Sequence, residues 1–342
     1  MDLLPSPEQL ELVGAASEFC AEQLPVSAIR DRRDEPNAIA RKLWSAGAEL
    51  GLLGVSAAED AGGSGLPFED EVLLFRELGR RLVPGPLTSS VLGARLASLT
   101  GNRDLAAAIV TGATQVGLAR RRDGDEGLAY SVTGRFDLFD APDAEYLLVI
   151  EPSGAGLVAK ESLADVTPLA CIDPGTRLAE ASADGAPLLC WVSTEDDPIR
   201  LRGLVLSAAL AVGIAEAAKE LAVEHAKNRV QFGRPIGVNQ AVKHACVDMA
   251  VAAEAAWQQT VFAAISLRSA RADAEFQVLA AKTVAGRAAI GNAESGIQLH
   301  GGMGYTYEHD MHLYLKRAHV LDQLFGSPRE HLGDLLAEEA AQ

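Results

Sequence analysis

From residue 199 to the C-terminus the sequence consists mainly of long segments rich in alanine and leucine, and this feature limits the possible folds most strongly. Residues 204–228 and 240–268 are each long enough for a helix of many turns. Asp273 is a candidate N-cap for a third helix that ends before Gly301, and a fourth helix is expected from about Asp310. Because small side chains let helices approach closely, residues 199–342 are predicted to form a four-helix-bundle domain.

The two preceding regions differ from the bundle and from each other. Residues 1–112 show helical spacing of apolar side chains, with Ser6 as N-cap and Pro7 at the first helical position, and further helices are predicted at about 70–81 and 90–99. Residues 113–198 contain short apolar runs bounded by Gly, Asp and Pro, which is typical of a small antiparallel barrel or sandwich. The expected fold class is therefore α+β: an N-terminal helical domain, a middle β-domain and the bundle.

The composition argues against several function classes. The net charge of -17 makes nucleic acid and anionic membrane surfaces poor partners. The N-terminus lacks the basic and apolar regions of a signal peptide, and the longest apolar stretch is interrupted at Ser207 and Glu216, so we expect a soluble cytoplasmic protein. No cysteine spacing fits a metal site, and the four cysteines are expected to be buried free thiols: Cys20, Cys171, Cys190 and Cys246.

A first candidate site is the sequence R-V-Q-F-G-R-P-I at 229–236, followed by Gln240. Glycine and proline end one helix here, and Gln240 begins the next. Arg229 and an arginine five residues later present planar guanidinium groups suited to a pyrophosphate. Phe232 has a face that can cover an aromatic ring system, while Gln231 and Gln240 can donate hydrogen bonds. The alternative is a helix–helix corner with solvated arginines.

A second candidate site is Q-L-H-G-G-M-G-Y at 298–305. Its glycines let the backbone approach a flat or charged group closely. The alternative is a glycine cap that ends the preceding helix. Taken alone, His300 is interpreted as a packing or hydrogen-bonding residue.

Together these two stretches resemble motifs of the acyl-CoA dehydrogenase family, R-x-x-F-G-x-P followed by Gln, and Q-x-x-G-G-x-G-[YF], with no gaps. The loop E-D-A-G-G-S-G at 59–65 is similar to the family's P-E-x-x-G-G-x-G loop, with Ala58 where proline is usual. The resemblance extends to about Leu335. It implies that FAD, bound mainly by a partner chain, contacts Arg229, Gln231, Phe232, Ile236, Asn239, Gln240, Gln298, Gly301 and Gly302.

The chain departs from the family where the chemistry occurs. The family's catalytic glutamate lies at one of two places, and counting from the motifs puts Gly326 and Gly203 at these positions. Glycine cannot accept a proton, so we expect no catalytic residue in this chain. The family's T-E-P-x-x-G-S-D and W-I-T segments, which contact the flavin ring, correspond to 118–124 and 134–140, and neither is matched.

The resemblance therefore implies a subunit that completes the FAD site of a second acyl-CoA dehydrogenase chain in a two-plus-two heterotetramer, similar to actinobacterial enzymes that oxidise steroid side-chain CoA thioesters. The acyl-CoA would lie mainly on the partner, and an electron-transfer flavoprotein would accept the electrons. One alternative is a self-sufficient flavoenzyme with a displaced base, such as Glu308, Asp310 or Asp322, or with monooxygenase chemistry. Another is a scaffold without flavin. No metal is expected.

Overall fold

A computed structural model describes residues 4–123 and 130–338 of the chain. Gly124, part of one segment compared above, lies outside these residues. The helices are α1 (Pro7–Gln23), α2 (Ala28–Asp31), α3 (Arg41–Glu49), α4 (Phe68–Arg80), α5 (Leu87–Leu99), α6 (Arg103–Val110), α7 (Ile199–Asn228), α8 (Gln240–Arg268), α9 (Ala274–His300), α10 (Gly302–Tyr305), α11 (Met311–Asp322) and α12 (Pro328–Ala337).

The predicted helix starts are largely confirmed by the local hydrogen bonds. At α1, Ser6 Oγ accepts from Gln9 N (3.3 Å) while Gln9 Oε1 accepts from Ser6 N (2.8 Å), which forms a capping box. Asp273 occupies the N-cap position of α9 but makes no capping hydrogen bond; its carboxylate accepts from Arg271 and Gln277 instead. The prediction that Asp273 is the N-cap residue is therefore confirmed, but its side chain does not bond to the first turn of the helix.

The β-region forms a six-stranded sheet in the order β2-β1-β3-β4-β6-β5. Its strands are β1 (Val116–Asp123), β2 (Ser131–Phe139), β3 (Tyr146–Glu151), β4 (Gly154–Ala159), β5 (Ala164–Leu169) and β6 (Leu178–Ser193). β2 also pairs with β6, which curls the sheet around a core that includes Phe136, Leu138 and Leu147. The expectation of a wholly antiparallel region was wrong at one place, because β1 and β3 run parallel.

Contacts divide the chain into two compact units, which are described separately. The first contains Met1–Ser27, Val72–Val83 and Leu204–Gln342, and the second contains Ala28–Glu71 and Pro84–Gly203. The predicted domain boundaries near 112 and 198 stay predictions.

In the first unit, α7 is the core helix. It is the one described helix long and apolar enough to cross a membrane, but 94% of its apolar window is buried inside the protein, as the all-round hydrophobicity of 204–214 predicts. Small residues permit close approach here: a Cβ added at Gly213 would lie 2.0 Å from Arg76 O. At the same contact, the buried Glu216 accepts from Arg76 (2.5 Å) and Arg80 (3.0 Å).

The second unit contains the glycine-rich loop at 59–65. Gly62 and Gly65 have φ of +81° and +62°, which favours glycine. A Cβ at Gly63 would lie 2.2 Å from Ala57 O, so the chain can turn back on itself only because this residue lacks a side chain.

The cysteine prediction was partly wrong: all four thiols are free, but Cys20 alone is buried and the other three are partly exposed.

Candidate functional site

The first motif forms a tight hairpin between α7 and α8. Two-residue strands, β7 (Val230–Gln231) and β8 (Arg234–Pro235), pair across a turn in which Phe232 and Gly233 have φ of +53° and +79°. This turn holds the Phe232 side chain away from the protein, where it is fully exposed. A non-glycine residue with positive φ and an unburied aromatic ring is costly for an isolated chain, so the conformation indicates a contact surface.

The polar side chains of this hairpin face solvent. Arg229, Arg234 and Gln240 are exposed, and within the described part of the chain none of them forms an ion pair or a side-chain hydrogen bond. Gln231 and Asn239 each donate to a nearby carbonyl oxygen, at 2.9 Å in both cases. Ile236 is partly buried. The hairpin and the first residue of α8 thus present two guanidinium groups and one amide group that have no side-chain partner in the described chain, together with one exposed aromatic ring.

The second motif lies at the end of α9. Gly301 is the C-cap residue, with φ of +60°, and its N–H donates to Gln298 O (3.1 Å). Gly301 therefore ends α9, as the glycine-cap interpretation expects. The backbone at this helix end nevertheless stays accessible to a bound group. A Cβ added at Gly301 or Gly302 would meet no atom within 4 Å, and the Gln298 side chain is exposed.

Stacked histidines bring the two motifs to the same end of the first unit. The rings of His225, in the last turn of α7, and His300, in the last turn of α9, have centroids 4.2 Å apart, and His309 follows at 4.4 Å from His300. His300 Nδ1 lies 2.7 Å from Gly296 O. Burial lowers the pKa of His225, and so do His300, Arg229 and His309. The packing role expected of His300 agrees with this contact, whereas sequence reasoning missed His225 and His309.

The chemistry of these groups suits an anionic cofactor. Guanidinium and amide donors can bind a pyrophosphate, glycines allow its close approach, and the exposed Phe232 can cover a flat ring. A site so exposed in one chain cannot bury a large cofactor by itself.

The strands that correspond to the family's ring-contacting segments carry paired charges. On β1, Arg121 binds the buried Glu151 of β3 (2.5 Å), and Arg120 binds Asp137 of β2 (2.7 Å). Arg122 also binds Asp137, and it reaches Glu180 of β6 at 2.7 Å. The three arginines neutralise these carboxylates, and Arg121 and Arg120 also cover the rings of Phe136 and Phe139 by cation–π contacts.

Neither position expected for the base carries a carboxylate. Gly203 is buried within α7. Gly326 has φ of +129°, and a Cβ there would lie 2.7 Å from His331 Nε2, so the backbone itself disfavours a side chain.

The alternative bases occupy less suitable places. Glu308 is exposed, and Asp310 is the N-cap residue of α11. Asp322 packs against α9, where a Cβ at Gly286 would meet its Oδ1 at 2.2 Å. Burial raises the pKa of Asp322, against the opposing charge of the buried Lys282.

Comparisons with known proteins identify the family of the chain. Residues 6–113 match the family described as "Acyl-CoA dehydrogenase, N-terminal domain", and residues 203–340 match "Acyl-CoA dehydrogenase, C-terminal domain". The chain is 34% identical to acyl-CoA dehydrogenase IpdE2 of Mycobacterium tuberculosis over 98% of both chains.

Solved structures share the fold. A variant of the Tcur3481–Tcur3483 steroid ACAD has a TM-score of 0.85 at 25% identity, covering 96% of this chain and 98% of that chain. A chain of the ChsE4–ChsE5 complex from Mycobacterium tuberculosis has a TM-score of 0.86 at 24% identity over the whole of both chains. The chain belongs to the acyl-CoA dehydrogenase family.

Proposed function

We propose that this chain is a subunit that completes the FAD site of a second acyl-CoA dehydrogenase chain, and that this second chain supplies the catalytic glutamate. The observation that carries the proposal is the exposed hairpin of unused donors around Phe232, in a chain whose two expected base positions are glycine. A surface that can bind a cofactor but has no catalytic carboxylate is suited to complete the active site of a neighbouring chain.

FAD is the cofactor of this oxidoreductase family, and its flavin accepts a hydride from the β carbon of the acyl-CoA. We assign Arg229, Gln231 and Gln240 to the pyrophosphate, with Phe232 against a cofactor ring. The remaining contacts proposed for the FAD are Ile236, Asn239, Gln298, Gly301 and Gly302. The chain's contribution is to bind and orient the cofactor, since the two positions expected for the base, Gly203 and Gly326, carry no group that could take a proton from the substrate.

The ion pairs of β1 support placing the flavin ring on the partner. An approaching ring would have to displace Arg120, Arg121 and Arg122 from their carboxylates, and the buried Arg121–Glu151 pair would be costly to separate. The acyl-CoA would then also lie mainly on the partner chain.

The relatives support a heteromeric assembly and a bulky substrate. The names of two fold neighbours, the ChsE4–ChsE5 complex and the Tcur3481–Tcur3483 steroid ACAD, each describe a pair of proteins, and the second describes a steroid enzyme. By analogy we propose a two-plus-two heterotetramer acting on a steroid-derived acyl-CoA in the cytoplasm, with an electron-transfer flavoprotein as the acceptor.

Purification of the chain alone, followed by purification with its partner, tests the proposal. The isolated chain should contain no stoichiometric FAD and should not oxidise acyl-CoA, whereas the co-expressed pair should do both. An isolated chain that binds one FAD and turns over acyl-CoA would contradict it and favour the self-sufficient enzyme. Substitution of Glu308, Asp310 and Asp322 in turn would then identify the displaced base. A pair whose FAD content does not depend on this chain would favour the scaffold.

A further inference from the structure

A cavity of about 440 Å³ lies within the second unit, and the proposed function leaves it unused. It is bounded by the loop at 53–60, the start of α4, the second half of α5 and the start of α6. This volume falls in the range of cavities that bind small molecules. Leu53, Val91 and Leu99 supply apolar wall, while Glu71 and Arg95 supply charge.

Two guanidinium groups beside this cavity share one closely bound carboxylate. Asp197 is one carboxylate between two guanidinium groups: its Oδ2 lies 2.5 Å from Arg95 Nη2, and its Oδ1 lies 3.4 Å from Arg202 Nε. The other nearby acid is Glu71, which is 4% exposed and accepts from Ser56 Oγ (2.8 Å). At the rim, Asp60 and Arg103 neutralise each other at 3.0 Å.

Glu71 therefore decides the net charge of the site. Burial raises its pKa, opposed by the Ser56 hydrogen bond and by Arg202 and Arg95. When Glu71 is ionised, two carboxylates balance two guanidinium groups. When it is protonated, Asp197 is the remaining anion against Arg95 and Arg202, and the buried side of the site carries an unbalanced positive charge.

We propose that this cavity binds a small organic carboxylate, whose anionic group lies at Arg95 beside Glu71 and whose aliphatic part packs on Leu53, Val91 and Leu99. When Glu71 takes up a proton, it loses its negative charge, and the ligand carboxylate replaces that charge. The Glu71 O–H can then donate a hydrogen bond to the bound anion. The aliphatic wall selects an organic acid over an inorganic anion. The site shares no residue with the proposed FAD contacts, so it stands independently of them.

This arrangement fixes the sign of the pH dependence. An empty site is compatible with ionised Glu71, whereas a bound carboxylate favours protonated Glu71, so binding takes up a proton. Affinity should therefore increase as the pH falls through the Glu71 pKa, by up to about tenfold per pH unit. The charged groups facing Glu71 are Arg95 on α5 and Arg202 on α7, with Asp197 bound to both.

Calorimetric titration of the full-length protein, or of its complex if a partner co-purifies, tests this site with butyrate as the probe. Butyramide has the same shape without the charge, and inorganic phosphate has charge without an aliphatic part. Butyrate should bind saturably, its affinity should rise with falling pH and level off once Glu71 is protonated, and both other probes should bind at least tenfold more weakly. Equal binding of butyramide would contradict the carboxylate assignment, and equal binding of phosphate would contradict the aliphatic wall.

Two variants separate the groups involved. Glu71→Gln mimics the protonated acid, so its butyrate affinity should lose its pH dependence and match that of the unaltered protein at low pH. Arg95→Gln should lose about tenfold or more in affinity. Arg135→Gln, an exposed arginine of β2 paired with Asp123, is the matched control and should not change binding. No saturable butyrate binding, or an unchanged pH dependence in Glu71→Gln, would overturn the proposal. Because FAD content does not enter this measurement, its failure is distinguishable from failure of the proposed function.

Discussion

Replacing Arg229 with alanine should remove a cofactor contact without disturbing the fold. The Arg229 side chain is exposed and makes no ion pair within the described chain, and the backbone N–H that bonds His225 O at 2.8 Å is retained in the variant. Surface substitutions of this kind change the free energy of unfolding by about 0.5 kcal/mol or less. The expected cost therefore falls almost entirely on FAD binding.

The magnitude follows from the type of contact. A hydrogen bond to a charged group contributes about 1.5–3 kcal/mol, which corresponds to a roughly 10- to 100-fold weaker affinity for FAD. Arg229→Lys keeps the charge but loses the planar fork, so it should fall between alanine and arginine.

The assay is flavin release from the assembled complex, followed by the increase in flavin fluorescence on dilution. Urea unfolding of the same variants reports stability. Arg329→Ala, an exposed arginine on α12, is the matched control and should keep both FAD affinity and stability. Unchanged FAD affinity in Arg229→Ala would refute the assignment of the hairpin to the cofactor. A large loss of stability would refute the claim that Arg229 has no structural role.

Three further predictions concern buried charge and the vacated base position. The pKa of Lys282 is lowered by burial to about 8 from its ordinary value of 10.5, so the unfolded chain binds more protons between these values. Relative to Lys282→Met, the free energy of unfolding should therefore rise by about 3 kcal/mol from pH 8 to pH 10.5 in urea titrations, and parallel pH profiles would contradict this. Glu216→Ala should cost about 3 kcal/mol because it removes the buried carboxylate that Arg76 and Arg80 share, while the exposed Glu220→Ala should cost less than about 1 kcal/mol. Gly326→Glu should lower the midpoint of thermal unfolding without giving the isolated chain any acyl-CoA oxidation, because its positive φ and the nearby His331 disfavour a side chain; a measurable rate would show that this position can still hold a base.

Local signals in the sequence predicted the elements that they control directly. The Ser-Pro start of α1 and the long apolar span of α7 both act through neighbouring residues. The same kind of signal precedes α12, where Ser327 and Glu330 form a capping box, but sequence reasoning assigned that stretch to the base loop and missed the helix. It also missed α6, which begins at Asn102 with a side-chain cap.

Features that depend on distant parts of the chain could not be predicted in this way. The parallel pairing of β1 with β3 is set by how the sheet closes, and strand patterns do not encode direction. The contact between His225 and His300 joins helix ends that are far apart in sequence. The pairing of Asp197 with two arginines likewise forms only when α5 and the start of α7 have come together, so no sequence motif indicates it.

The most direct test of the proposed subunit role is the ratio of FAD to chain in protein purified from its native host, with every co-purifying chain identified. Half an FAD per acyl-CoA dehydrogenase chain, together with a second such chain that carries the glutamate and the ring-contacting motifs, is the predicted result. One FAD per chain in an assembly of this chain alone would contradict it.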